Sequence, residues 1–205
     1  MSDARERMPQ REAMAALHAA RRADDVVVTS MGAARIWMAL GAGPLDLPLV
    51  PSSMGTAPSI GLGIALAQPG RRVIVVNGDG AMLMNLGSLV TITAAAPANL
   101  TLILVDNGVY EVTGAQPTPG AAAGRSDGAS VDFEVIARAC GFRSVYHFSN
   151  AAQWARDIER VLGEPGPTFV LLEVISMPGT SGPRSPGPAA TRAVELRRRL
   201  APGFG

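Results

Sequence analysis

The stretch "RRVIVVNGDGAMLMNLGSLVTITAAAPANLTLILVDNGVY", residues 71–110, contains two apolar runs separated by a longer segment with a helical pattern. The runs at 71–77 and 100–106 are almost continuously apolar, which is typical of strands covered on both faces of a sheet. The segment between them, roughly 82–95, is predicted to be a helix. A strand, a helix and a second strand in this order predict one unit of a parallel sheet.

The alternation of strand and helix patterns continues on both sides of this unit, with short links between the elements. The fold class is therefore predicted to be α/β: a doubly wound, mainly parallel sheet with helices on both faces. The further predicted strands are 25–30, 144–148 and 168–175, and the further predicted helices are 33–40, 58–67, 132–140 and 151–162.

The ends of the chain differ from this central part, which is predicted to form one domain over residues 25–177. A helical extension is expected over residues 1–24. Residues 178–205 are expected to form a Pro/Gly-rich linker and a short basic C-terminal helix. The favoured interpretation of that helix is a solvated charged surface rather than a docking element, because charge runs are common on protein surfaces.

Composition and charge exclude several classes of function. The chain has 205 residues, of which 47% are hydrophobic, so it can bury a proper core. Its net charge of +1 gives no electrostatic case for a nucleic-acid or membrane partner. Cys140 is the only cysteine, which excludes an internal disulfide and a cysteine-built metal site. The N-terminus lacks the apolar core of a signal peptide, and a cytoplasmic location is expected.

The chemistry is expected at the turns that follow the two strands of the opening stretch. Gly78-Asp79-Gly80 follows the first strand, and glycine accepts the backbone angles of a sharp turn. Such a turn presents the Asp79 carboxylate beside the free N–H groups at the start of the next helix, which favour phosphate. The carboxylate would repel a phosphate unless a cation lay between them, and Mg²⁺, which prefers oxygen ligands, suits this position.

Asn107 and Val109 offer further oxygen ligands from the second turn, "DNGVY". Asn107 lies 28 positions after Asp79, a separation that fits one helix and a returning strand. Ligands bind beyond the carboxyl ends of the strands in doubly wound sheets, and both turns lie there. We therefore predict a Mg²⁺ site formed by the side chains of Asp79 and Asn107 and the backbone carbonyl of Val109.

Gly-Asp-Gly alone is typical of an ordinary turn, but the joint pattern is more specific. Gly-Asp-Gly, about 25 to 30 residues and then Asn resembles the diphosphate and Mg²⁺ motif of thiamine diphosphate enzymes. The stretches "VPSSMGTAPSIGLGIALAQPGRRVIVVNGDGAMLMNLGSLVTI", "APANLTLILVDNGVYEVTGAQPT" and "VDFEVIARACGF" are similar to phosphonopyruvate and sulfopyruvate decarboxylases. The resemblance covers roughly residues 25–175, the diphosphate-binding half of those enzymes.

The resemblance implies how the cofactor thiamine diphosphate is held. The Ser52 carbonyl would accept a hydrogen bond from the 4′-amino group, and Met54 would bind the aminopyrimidine and keep the cofactor bent between its two rings. The cofactor would then supply the chemistry for decarboxylation of a small 2-oxo acid. The cofactor-binding residues implied in full are Ser52, Ser53, Met54, Gly78, Asp79, Gly80, Ala81, Asn107, Val109 and Tyr110.

The resemblance also implies a part supplied by another chain. Thiamine diphosphate enzymes use a glutamate on a separate pyrimidine-binding domain, which needs about 150 residues, a typical domain size. Residues 1–24, which precede the first predicted strand, are too few for such a domain. We expect a β-type subunit whose activating glutamate comes from an α-type pyrimidine-binding partner, and an α₂β₂ assembly would suit such a shared site.

Two departures from the family pattern bear on the substrate. Tyr110 stands where the phosphonopyruvate enzymes tend to have histidine, and Glu111 stands where they tend to have aspartate. Loss of a cationic side chain weakens the case for a phosphonate or sulfonate and makes a more apolar 2-oxo acid conceivable. Glu111 is a candidate catalytic residue, although a solvated loop carboxylate is the favoured interpretation.

Alternative functions and weaker candidates stay open at this point. A β subunit of a 2-oxo acid:ferredoxin oxidoreductase has a similar metal loop, but this chain has no cysteine cluster. A carboligase would use the same cofactor. A non-catalytic scaffold subunit would have little reason to keep Asp79, Asn107 and "SSMG". His147 is interpreted as structural or solvated, since no acidic partner is evident beside it.

Overall fold

A parallel sheet runs through the part of the chain that the computed structural model describes, which is residues 7–51, 53–177 and 181–201. Its centre is formed by three neighbouring strands, each a nearly continuous run of apolar residues. The strands are β1 (Met8–Pro9), β2 (Val26–Ser30), β3 (Asp46–Leu49), β4 (Val73–Gly78), β5 (Leu100–Asp106), the short hairpin pair β6 (Val109–Tyr110) and β7 (Gln116–Pro117), β8 (Ser144–Phe148) and β9 (Thr168–Ile175).

The order of the strands places β4 between β2 and β5, with β3 beyond β2 and β9 beyond β5. The other side of β9 pairs with β8 along its first part and with β1 near its end. All of these pairings are parallel, and only the separate hairpin of β6 and β7 is antiparallel within the described residues. The α/β class and the mainly parallel sheet are confirmed.

Helices cover both faces of the sheet, as the sequence predicts. Alternate residues of β4 face opposite ways: Ile74 and Val76 join one buried cluster, and Val73 and Val75 join the other. The first cluster is completed by α1 (Gln10–Ala20), α2 (Met31–Gly41) and α7 (Ala151–Gly163), and the second by α3 (Ala57–Ala67), α5 (Gly87–Ala95) and α6 (Phe133–Ala139); the remaining helices are α4 (Asp79–Leu83) and α8 (Ala189–Leu200).

The small residues of α3 allow this helix to lie close to the sheet. A side chain added at Gly61 would overlap the side chain of Val75 in β4. Gly63, on the same helix, has nothing within 4 Å of the position that a Cβ would take. Gly61 is therefore required by close packing, while Gly63 is not.

The structure differs from the sequence-based expectation in three elements. The helix expected over 82–95 is two helices, α4 and α5, because the chain turns at Met84–Leu86. The strand β3 was not predicted, since its sequence "DLPL" is short and contains a proline. Residues 8–20 do not form a separate extension: β1 pairs with β9, and Met14 and Leu17 of α1 are fully buried in the first cluster.

The C-terminal helix α8 lies on the domain, beside β3 and α3. Leu196 is only 7% exposed, and Leu200 packs against the second buried cluster. Arg197 and Arg198 are exposed, so a solvated surface describes one side of this helix and a docked surface describes the other. None of the helices in the described ranges is long and apolar enough to cross a membrane, and the cytoplasmic location stays a prediction.

Candidate cofactor and metal site

The carboxylate of Asp79 is buried at the point where β4 ends and α4 begins. Asp79 is the first residue of α4 and has only 2% of its surface exposed. The hydroxyl of Thr118 donates a hydrogen bond to Asp79 Oδ2 over 3.0 Å. The pKa of Asp79 is raised from 3.8 to about 7, chiefly by burial and secondly by the negative charge of Asp106. A cation beside this carboxylate would relieve both effects.

Asn107 follows β5 at the same edge of the sheet. Gly78 is paired with Val105 in the parallel register, so Asp79 and Asn107 both lie just beyond this last pair. Asn107 Oδ1 accepts a hydrogen bond from the N–H of Val109 over 3.0 Å, which fixes the amide within its own turn. Gly108 has a φ of +73°, a conformation that glycine adopts without strain.

The carbonyl of Val109 is the third predicted metal ligand. Val109 is paired with Pro117 in the hairpin of β6 and β7, and proline has no N–H with which to occupy that carbonyl. The set then consists of one carboxylate, one amide and one carbonyl oxygen, which are donors that Mg²⁺ takes. Within the described ranges no group of three or more His, Cys, Asp or Glu side chains could hold a metal. The predicted set is of a different kind, because Asp79 is its only residue of those types and the other two ligands are an amide and a carbonyl oxygen. The residues therefore fit Mg²⁺.

One pocket contains most of the predicted site. Its cavity volume is about 60 Å³, below the roughly 300–1,000 Å³ typical of small-molecule and cofactor sites. The predicted residues that line it are Met54, Gly78, Asp79, Gly80, Ala81, Asn107, Val109, Tyr110 and Glu111. The structure brings these residues together, while their contact with a cofactor stays a prediction.

The two glycines that flank Asp79 have different surroundings. A Cβ at Gly78 would meet nothing within 4 Å, so the backbone there borders open space in the pocket. A Cβ at Gly80 would overlap the ring of Tyr110, so Gly80 is needed for close packing of that ring. An incoming group can therefore approach the backbone at Gly78, and Tyr110 supports the turn from the other side.

The segment expected to hold the aminopyrimidine is only partly in the pocket. Met54 lines the pocket and is half-buried, whereas Ser53 is exposed and does not line it. Ser52 lies outside the described residues. The carbonyl of Gly55 accepts a hydrogen bond from Asn85 Nδ2 over 3.0 Å, which ties the residue after Met54 to the turn between α4 and α5.

Glu111 is not the solvated loop carboxylate favoured from the sequence, and that interpretation is wrong. The residue is 7% exposed, and Glu111 Oε1 accepts a hydrogen bond from the N–H of Met177 over 2.8 Å. Glu111 Oε2 lies 3.9 Å from a guanidinium nitrogen of Arg35. The error arose because Met177 and Arg35 are far from Glu111 in the sequence, and its local sequence is typical of a loop.

Other residues of the pocket could not be found from the sequence. Gln10 is 3% exposed, lines the pocket and has a buried Oε1 with no hydrogen-bond partner among the described residues. Ser30 lies at the end of β2 and donates a hydrogen bond to Asn77 Oδ1 over 2.8 Å. Thr118 is not among the residues that line the pocket, but its hydroxyl reaches Asp79 across 39 positions of the sequence. A single polar side chain without a motif has no local signal that marks it.

His147 has acidic neighbours, contrary to the expectation that none accompanies it. Its Nδ1 lies 3.2 Å from Glu134 Oε2, and its Nε2 lies 3.2 Å from Glu173 Oε2. Both contacts join residues that are distant in the sequence. The structural interpretation of His147 agrees with these contacts, but the reason given for it does not.

Comparison with known families identifies the domain type. The family described as "Thiamine pyrophosphate enzyme, C-terminal TPP binding domain" matches residues 25–172. An enzyme from Mycobacterium smegmatis, assigned as thiamin diphosphate-dependent, has a similar fold with a TM-score of 0.68 over 82% of this chain and 32% of the other. At 16% sequence identity, that likeness concerns the fold alone.

Curated relatives share a higher identity over a shorter region. Phosphonopyruvate decarboxylase of Streptomyces viridochromogenes is 42% identical over 122 residues, which are 60% of this chain and 28% of that enzyme. Sulfopyruvate decarboxylase subunit beta of Methanothermobacter thermautotrophicus is 42% identical over 60% of this chain and 58% of its own. The corresponding subunit of Methanocaldococcus jannaschii is 45% identical over 60% of this chain and 61% of its own. The chain thus covers less than two thirds of the length of each relative.

Proposed function

The chain belongs to the thiamine pyrophosphate enzymes, with their C-terminal TPP binding domain over residues 25–172, and from that premise we propose that it is the β-type subunit of a split 2-oxo acid decarboxylase. In this proposal the chain binds the diphosphate of thiamine diphosphate and a Mg²⁺ ion. An α-type pyrimidine-binding subunit completes the active site. The observation that carries the proposal is the buried Asp79 carboxylate, which shares one pocket with Asn107 and Val109.

Each residue of the pocket has a task in this proposal. Asp79 and Asn107 hold the metal with their side-chain oxygens, and Val109 adds its carbonyl. The open space beside Gly78 admits the diphosphate to the backbone at the end of β4. Met54, in the wall of the same pocket, supports the bend of the cofactor.

The cofactor, when bound, supplies the nucleophilic carbon and accepts the electrons released when a 2-oxo acid loses CO₂. The protein contributes orientation and the exclusion of water. Apolar side chains such as Met31, Ala33 and Val112 line the pocket around the polar groups. In this proposal Glu111, which is buried beside the metal turn, acts on the substrate, and the contacts with Met177 and Arg35 orient its carboxylate.

The partner subunit is inferred from the relatives and from the extent of the matched domain. The two archaeal relatives are named as beta subunits of sulfopyruvate decarboxylase. The family match covers a C-terminal binding domain alone, and the cofactor's pyrimidine needs a second domain to complete its site. A heteromer of α- and β-type chains supplies that second domain.

The substrate is inferred to be a 2-oxo acid with an apolar side chain. Among the described residues that line the pocket, none is Lys, Arg or His. Tyr110 lies where a cationic side chain would have been available for an anionic substrate, and Arg35 lies 3.9 Å from Glu111, which offsets its charge. A phosphonate or sulfonate would therefore gain little electrostatic stabilisation from this chain.

The test is an assay of CO₂ release by this chain alone and together with a pyrimidine-binding subunit, which is to be sought among the genes next to its own. Sulfopyruvate, phosphonopyruvate and 2-oxobutanoate are compared as substrates, with Mg²⁺ and thiamine diphosphate. We expect activity only when both chains are present, with the aliphatic acid preferred. Robust activity of this chain alone would contradict the split active site, and a preference for either anionic substrate would contradict the inferred substrate class.

The matched control for this assay is Asp79→Ala in the same two-chain complex. We expect the variant to retain its fold and its partner while losing Mg²⁺-dependent cofactor binding. A scaffold subunit would instead tolerate the change, so unaltered activity of the Asp79→Ala complex would remove the basis of the proposal.

A further inference from the structure

The C-terminal part of the chain contacts the backbone directly after β3 through Arg192. Each type of guanidinium nitrogen donates to a different carbonyl: Nε to Gly187 over 3.3 Å, one terminal nitrogen to Pro48 and the other to Val50. A planar guanidinium can hold several carbonyls in one fixed geometry. Arg192 therefore joins the C-terminal segment to the chain at the end of β3.

Ser185 adds a second contact to the same place. Its hydroxyl bonds to the carbonyl of Val50 over 3.1 Å and lies 2.7 Å from the carbonyl of Gly187. The Val50 carbonyl is thus shared by two side chains that lie more than 130 positions further along the sequence. We call Ser185 and Arg192 the C-terminal clamp.

The clamp acts on the stretch of chain that leads to Met54. Val50 lies four positions before Met54, and the carbonyl of Gly55, directly after Met54, is held by Asn85. Met54 therefore lies between two anchored residues, Val50 on its N-terminal side and Gly55 on its C-terminal side. Since Met54 lines the cofactor pocket, the position of that pocket wall depends on both anchors.

Docking of α8 makes the clamp a rigid support. Leu196, one turn after Arg192 on the same helix, is buried, and Leu200 packs against the second cluster. The clamp also lies outside residues 25–172, which match the family domain. It is therefore an addition to the shared domain that contacts a functional segment of it.

We propose that Ser185 and Arg192 are positioning residues, which fix the carbonyl of Val50, four positions before Met54, and so set the geometry of the cofactor pocket. Their contact with the backbone is independent of any ligand, and their effect on cofactor binding rests on the proposed function. The test therefore has two parts, of which the first needs no cofactor.

The first part measures hydrogen exchange of the full-length chain, comparing Arg192→Ala with Arg199→Ala. Arg199 is the matched control, because it also donates from α8 to a backbone carbonyl, that of Pro44 over 2.7 Å, but at the opposite end of β3. We expect peptides covering residues 53–57 to exchange about tenfold faster in Arg192→Ala, the effect of losing the charged hydrogen bond to Val50, which of the three is nearest to this segment. Exchange of β4 and β5 should be unchanged in both variants.

Two outcomes would overturn the clamp. Equal acceleration in both variants would show that any loosening of α8 has the same effect, and no acceleration in Arg192→Ala would show that the contact holds nothing. Arg192→Lys is a second variant that distinguishes loss of the clamp from general unfolding, because lysine retains the charge and can still donate to one carbonyl. It should give an intermediate exchange rate at residues 53–57.

The second part compares two probes on the complex with the pyrimidine-binding subunit, each in the presence of Mg²⁺. Inorganic diphosphate tests the metal turn, and thiamine diphosphate tests the whole pocket. We expect Arg192→Ala to weaken thiamine diphosphate binding about tenfold, with diphosphate binding unchanged. Equal weakening of both probes would overturn the positioning role. If the wild-type complex bound neither probe, the proposed function would fail, while the exchange experiment would still decide whether the clamp holds the backbone.

Discussion

Replacing Asp79 by Asn tests the electrostatics of the candidate metal site with no cofactor present. The amide has nearly the shape of the carboxylate and can still accept a hydrogen bond from Thr118, which donates to Asp79 over 3.0 Å in the unchanged protein. The change removes the buried negative charge and leaves the packing intact. Any pH-dependent difference between the two proteins then reports the ionisation of Asp79.

The size of the effect follows from the pKa. In the folded chain the pKa of Asp79 is raised from 3.8 to about 7, chiefly by burial. A raised pKa means that the folded state retains the proton longer, so stability is fully present below pH 3.8 and is lost as the pH rises towards 7. Between pH 5 and pH 8 this loss spans roughly two pH units, or about 3 kcal/mol. The Asn variant has no proton to lose.

The assay is denaturant unfolding of the metal-free chain in EDTA at pH 5, 6, 7 and 8. We expect the stability of Asp79→Asn relative to wild type to increase by about 3 kcal/mol from pH 5 to pH 8. Glu159→Gln, which neutralises an exposed carboxylate, is the control and should show a flat difference. A flat difference for Asp79→Asn as well would refute a buried, charge-destabilised carboxylate at this position. Added Mg²⁺ and diphosphate should stabilise wild type at pH 8 and leave the Asn variant unchanged.

Three further substitutions, the last of them paired with a control, test the site and the packing of the fold. Asn107→Ala should weaken Mg²⁺-dependent diphosphate binding at least tenfold, as measured by calorimetry. The stability of the metal-free chain should change by only about 1 kcal/mol, the value of one hydrogen bond. Unchanged binding would exclude Asn107 as a ligand. Thr118→Val removes the hydroxyl that lowers the pKa of Asp79, so at pH 8 the metal-free chain should lose about 1 to 2 kcal/mol, with a smaller loss at pH 5; an equal loss at both pH values would separate Thr118 from Asp79. Gly61→Ala should destabilise the fold by about 1 to 3 kcal/mol, because the added side chain would overlap Val75. The control Gly63→Ala should be neutral or stabilising by up to about 1 kcal/mol. Similar effects of the two substitutions in thermal unfolding would contradict the close contact of α3 with β4.

Most of the fold could be predicted because its signals are local. A run such as "VIVVNG" marks a buried strand wherever it occurs, and the alternation of such runs with helical patterns is enough for a doubly wound sheet. The break between α4 and α5 was missed, although Asn85 and Gly87 interrupt the apolar run there, because the segment contains no proline and apolar residues continue on both sides. Strand β3 is held by pairing with β2, so its own short sequence carries little signal.

The residues of the candidate site likewise fall into those with a local sequence signal and those without one. The placement of Asp79 and Asn107 after neighbouring strands could be predicted from sequence, because the length of one helix and one strand separates them and the carboxyl ends of parallel strands share one edge. The burial of Glu111 against Met177, the place of Gln10 in the pocket wall, the hydrogen bond from Thr118 to Asp79 and the contact of Arg192 with the Val50 carbonyl became evident from the folded chain alone. Each of these contacts joins residues distant in sequence through a single side chain. A periodic pattern or a turn motif is encoded by neighbouring residues, whereas such a contact exists only after the sheet and its helices have brought the two parts of the chain together.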